Sequence, residues 1–139
     1  MNNLDRYIEA QKRDYKEALK EIKNGKKTSH WMWYVFPQLS SLGHSLTAKY
    51  YGIKDENEAI EYINNDYLRH NLIEMCNALL SLSDNNIDEI MGFPDNLKLR
   101  SCMTLFDYVS EEDVFKKVID KYYDGKLDDL TLNLLKENK

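Results

Sequence analysis

Apolar residues recur along this chain at intervals of three and four, the period of an amphipathic helix. Leu4, Tyr7, Ile8, Gln11, Tyr15, Ala18, Leu19 and Ile22 share one face, which predicts a helix of about five turns from Leu4 to Asn24. Asp5, Arg6, Glu9, Lys12, Arg13, Lys16, Glu17, Lys20 and Lys23 take the other face. Gly25 ends the segment, with lysines on both sides where the helix dipole favours cations.

The pattern then becomes denser. Ser29 is placed to cap a short helix over His30–Phe36, and Pro37 disfavours its continuation. His30, Trp33 and Tyr34 fall on one side of it and Trp31 and Val35 on another. A helix apolar nearly all round is expected to be buried, with longer helices packed about it.

Gln38 to His44 reads as an irregular connection. Ser45 is the cap of a helix through Tyr51 that Gly52 stops, and Asp55 with Glu58 makes a capping-box start for Ala59 to Ile63. Asp66 is the expected cap of a longer stripe, Leu68, Leu72, Met75, Cys76, Leu79 and Leu80. Ile87 to Gly92 is a turn or two of helix, and Pro94-Asp95 opens a helix carrying Leu99, Cys102, Met103, Phe106 and Val109. Ser110 and Asp113 resemble another capping box, ahead of Val114 to Tyr122, and a weaker segment covers Leu127–Leu135.

No stretch alternates as a strand does, no glycine-rich phosphate loop occurs and no fixed-period repeat is visible. The expected architecture is all-α: one domain over residues 1–139, about seven helices, several short, around a central aromatic short helix.

Composition and charge narrow the function classes. With 139 residues, 42% hydrophobic and 31% charged, the chain is an ordinary globular domain. The net charge of −5 is uneven: residues 1–54 hold ten Lys/Arg against five Asp/Glu, and residues 55–139 hold nine against nineteen. Overall acidity argues against a generic nucleic-acid binder, while a local basic face near Lys23, Lys26, Lys27 and Lys49 is either a solvated helix end or suited to a small anion. Cys76 and Cys102 have no CxxC partner and read as buried free thiols in a reducing compartment. There is no apolar run of about 18 residues and no charged-then-apolar leader, so no membrane association and a cytoplasmic location are expected.

The run Lys27-Thr28-Ser29-His30-Trp31-Met32-Trp33-Tyr34-Val35-Phe36-Pro37-Gln38-Leu39 resembles the signature of a bacterial and fungal family, domain of unknown function 1810. Arg6 to Gln11, Tyr51-Gly52-Ile53, Glu58-Ala59, Phe93 to Phe106 and Tyr123 to Asp128 match it too, so the resemblance spans essentially the whole chain. Cys102 departs from the pattern, which has a second small residue after Ser101. The resemblance implies a single domain of Rv1873-like all-α fold. It implies no activity.

Two stretches carry candidate chemistry. His30, beside Ser29 and Lys26-Lys27, is a candidate general base or anion ligand, or else a histidine bonded within an aromatic core. Gln38 offers a donor and an acceptor at an apolar wall, and Trp31 or Trp33 offers a stacking face if not filling the core. Lys98, Ser101 and Thr104 recur at a spacing of three, suiting a phosphate or carboxylate, or a Ser101 nucleophile with Lys98 as base. The alternative role of Ser101 and Thr104 is bonding to the preceding turn of their own helix.

His30, His44 and His70 have no partners at a recognised ligand spacing, so no metal and no cofactor are expected. The leading expectation is a pocket for a small anionic ligand where the two stretches meet. Lys27 and Lys98 would supply charge, Ser29, Trp31, Trp33, Gln38 and Thr104 further contacts, and His30 and Ser101 any chemistry. The alternative is a non-catalytic protein-interaction module in which the aromatic motif is structural. Which reaction, if any, is not written in the sequence.

Overall fold

A computed structural model describes residues 4–137. Among the described residues there are nine α-helices: α1 Asp5–Lys23, α2 Met32–Val35, α3 Leu46–Tyr51, α4 Glu56–Asn64, α5 Asp66–Ser81, α6 Ile87–Met91, α7 Asp95–Val109, α8 Val114–Tyr123 and α9 Asp129–Glu137. A 3-10 turn covers Ser40–Leu42. No strand forms among these residues, only an isolated parallel bridge between Leu39 and Ile53. The all-α expectation holds, and nine helices are roughly consistent with the expected count of about seven; α2, α3 and α6 are only four to six residues long.

The deep core lies around α7, whose Leu99, Cys102, Met103, Leu105 and Phe106 are fully buried and which packs on α4, α6, α8 and α9. α5 packs against α1, α4 and α8. All four residues of α2 are buried, and α2 packs against α1 and α3. Gln11, on the otherwise apolar face of α1, is a buried polar hub. It donates to the Tyr34 carbonyl (2.7 Å) and the Tyr62 hydroxyl (2.9 Å) and accepts from Asn71 (3.0 Å).

Several expected caps form and several do not. Ser45 Oγ accepts from the Ala48 N–H (3.0 Å) and Asp55 Oδ1 from the Glu58 N–H (2.9 Å). Asn65, not Asp66, caps α5, accepting from the Leu68 N–H at 3.1 Å. Ser29 caps nothing: α2 starts at Met32, and the Ser29 N–H donates instead to the Glu21 carboxylate. The Ser110–Asp113 box does not close either, since Ser110 Oγ accepts from Glu112 and Asp113 makes no cap bond.

Candidate functional site

Glu21, in the last turn of α1, organises the segment that leads into the aromatic motif. One carboxylate oxygen accepts from the Thr28 N–H (2.7 Å), the Ser29 N–H (2.9 Å) and the Trp31 indole N–H (2.9 Å). Burial raises the carboxyl's pKa, but the bonds from Ser29, Thr28 and Trp31 outweigh it and hold the group at about 2. This clamp draws the Trp31 ring inward and leaves His30 exposed to solvent.

Lys27 is held from several directions. Its ammonium donates to the Ser29 carbonyl (2.5 Å), pairs with Asp95 at 2.8 Å and lies 4.9 Å from the centre of the Trp31 ring. Its side chain is only 6% exposed. Asp95 also receives Lys98 in a looser pair at 3.5 Å, and the Lys98 ammonium lies 5.6 Å from the Trp33 ring centre. Trp33 is pinned from behind by Gly43. A Cβ on that glycine would meet the indole at 2.7 Å, so the close approach requires glycine.

These residues line a cleft of about 260 Å³ between the residue 27–30 loop, α2, the start of α3 and the start of α7. The cleft brings together Lys27, His30, Trp33 and Lys98 from the two stretches singled out in the sequence. It adds Asp95 and the Ser45 and Thr47 segment, none of which sequence reasoning assigned to a site. The Asp95–Lys98 spacing of three was the available signal. Tyr34 completes the wall, its hydroxyl donating to the Asp14 carboxylate. Burial, then that carboxylate, pushes its pKa up to about 12, so at neutral pH it is an uncharged donor.

The other expected site residues lie outside the cleft. Trp31 is buried at 1% exposure and fills the core. Gln38 is buried, and its carbonyl accepts from the Ile53 N–H at 2.8 Å. Ser101 and Thr104 turn toward the segment before α9. Ser101 Oγ donates to Asp128 Oδ2 (2.8 Å), with the Leu97 carbonyl 3.3 Å away as the alternative acceptor, and Thr104 Oγ1 accepts from the Asp128 N–H (2.9 Å). Positions 98, 101 and 104 turn progressively round a helix, so Lys98 faces the cleft while the hydroxyls face Asp128. The proposed His30–Ser101 chemistry is therefore not assembled in this cleft, nor is Lys98 set as a base against Ser101.

Two lysines against one aspartate leave the cleft an excess of one positive charge, with hydroxyls nearby. That arrangement can bind an anionic group. No cluster of three or more His, Cys, Asp or Glu suited to a metal occurs among the described residues, and none of the described helices is long and apolar enough to cross a membrane.

The family model described as protein of unknown function (DUF1810) matches residues 1–135. The chain belongs to this family. The DUF1810 fold is also seen in the crystal structure of the conserved hypothetical protein Rv1873 from Mycobacterium tuberculosis, solved at 1.38 Å. That protein is 40% identical to this DUF1810 chain, with a TM-score of 0.95 over 97% of each chain. No curated protein matches the sequence.

Proposed function

We propose that this DUF1810 protein is a small-ligand-binding domain that takes an anionic ligand in the cleft between α2, α3 and α7. The observation that supports it is the shared lining of one cavity by Lys98, His30 and Trp33, drawn from two stretches more than sixty residues apart. Lys98 is the less tightly held cation of the site. Its pair with Asp95 is long at 3.5 Å and its side chain is 28% exposed, so it can turn to an incoming carboxylate or phosphate. Lys27 instead anchors the wall, because its donors already go to Asp95 and Ser29. Ser45 and Thr47 are the hydrogen-bonding complement, since the Tyr34 proton is already given to Asp14.

A thermal-shift screen against nucleotides, sugar phosphates and carboxylates tests this reading. A ligand at about 100 times its dissociation constant adds roughly 2.7 kcal/mol, several degrees for a domain of this size. The stabilisation is expected to vanish in Lys98→Ala and shrink in His30→Ala. A hit of undiminished size in both variants would overturn the site.

One observation favours the second reading, a protein-docking surface. Leu46 (85% exposed) and Phe93 (79% exposed) belong to the segments that form the cleft's walls, where bare apolar side chains invite a partner. In that case the screen finds no small-molecule hit, and the double variant Leu46→Ser/Phe93→Ser abolishes capture of the partner.

A further inference from the structure

A second cleft lies at the C-terminal end of α3, and it is built on a buried ion pair. Arg6 of α1 and Glu58 of α4 are both 8% exposed and meet at 3.0 Å. The Arg6 guanidinium also donates to the Tyr50 carbonyl (2.7 Å), the Gly52 carbonyl (3.2 Å) and the Tyr7 hydroxyl (2.9 Å). Glu58 in turn accepts from the Lys54 N–H at 2.9 Å. Gly52 sits so close to Ser40 that a Cβ would come within 2.4 Å of the Ser40 Cα. The floor of the cleft is thus rigid, polar and already hydrogen-bonded.

The cavity above it is about 470 Å³. Its charges cancel, since Arg6, Lys49 and Lys54 are matched by Asp55, Glu58 and Glu61. Tyr50 stands at its edge, 60% exposed, held edge-on to Tyr51 with ring centres 4.8 Å apart. Asn57, on the first turn of α4, lines the same cavity.

We infer that this cleft binds a neutral polyhydroxylated ligand, a mono- or disaccharide. The buried charges satisfy each other, so the floor offers no lone charge to an anion or cation. A charged ligand gains only from rim groups in water, where such pairs are weak. A sugar suits the remaining features. Its hydroxyls can exchange hydrogen bonds with the Asp55 and Glu61 carboxylates, the Asn57 amide and the Lys49 and Lys54 ammonium groups that line the cleft. Its C–H face packs flat on an exposed aromatic ring such as Tyr50. The cleft's polarity also sets it apart from the mostly apolar pockets that take drug-like molecules.

Saturation-transfer NMR on the full chain tests this, using glucose, galactose, mannose, N-acetylglucosamine and cellobiose at millimolar concentration, with glycine and inorganic phosphate as charged competitors. At least one sugar is expected to receive saturation, and its dissociation constant to rise about tenfold in Tyr50→Ala. Asn57→Ala, an exposed position, provides a second variant that leaves the fold intact, and it is expected to weaken the same sugar. Binding should be unchanged in His30→Ala, which separates this cleft from the one beside α7. Transfer to none of the sugars, transfer undiminished in both Tyr50→Ala and Asn57→Ala, or displacement by glycine or phosphate would each overturn the inference.

Discussion

A single carboxylate decides the shape of the aromatic motif. Glu21 receives three donors from the residue 28–31 segment, and its pKa of about 2 lies below the ordinary 4.5. A depressed folded-state pKa stabilises the fold fully above about pH 5, and the contribution fades as pH falls toward about 2. The shift corresponds to stability on the order of 3 kcal/mol. Urea denaturation of wild type and Glu21→Gln from neutral pH down to about pH 2 checks this. Wild type should lose more stability on acidification, by roughly that amount, and parallel curves would show that another group is responsible. None of this was visible in the sequence, where nothing sets Glu21 apart from the other charged residues of α1. The same blindness explains Ser29, which by local rule is a cap but is captured by a partner eight residues back. Lys27 and Lys98 looked equivalent for the same reason. Only Asp95, read as a helix start, separates the locked lysine from the looser one.

Helices were legible where their signals are local. The period of α1, α5, α7 and α8 follows from burial of one face, and the caps at Ser45 and Asp55 follow from bonds reaching three residues ahead. What joins one helix to another was not legible, because it depends on residues distant in sequence. Lys121 is the clearest case. Its ammonium, on α8, donates to the Leu79 carbonyl (3.3 Å), the Leu80 carbonyl (3.0 Å) and the Leu82 carbonyl, closing the C-terminus of α5. A cation at that end also meets the negative pole of the α5 dipole. Lys121→Met keeps the aliphatic stem but takes the ammonium from these carbonyls, of which, among the described residues, only that of Leu79 keeps other donors, the Tyr122 hydroxyl and the Leu82 N–H. The expected loss is about 1.5–3 kcal/mol, the range for hydrogen bonds to a charged group, read from the urea midpoint at unchanged slope. An unaltered midpoint would mean that water replaces the ammonium without cost.

At the scale of the whole molecule, the fold class and half of the candidate cleft could be read from the chain, and the reason is geometric. Residues within one turn keep their relation whatever the packing, so the aromatic stretch and the start of α7 were recognisable as units. Whether Ser101 and Thr104 shared the cavity of Lys98 depended on where Asp128 came to rest, 27 residues beyond Ser101. Integrity of the assembled core has its own probe in the two free thiols. Cys76 on α5 and Cys102 on α7 are both fully buried, the first 3.6 Å from the Met103 sulfur, and burial pushes both thiols well above their ordinary range. Neither thiol should react with a disulfide reagent in the native protein, and both should react in guanidinium. Thiolate formation requires exposure, so native-state labelling should proceed through opening of the α5–α7 contact. If the core opens only as a unit, both cysteines label at one rate, and that rate rises with urea as steeply as global unfolding does. A faster, urea-insensitive rate at one cysteine would instead reveal local opening of its helix.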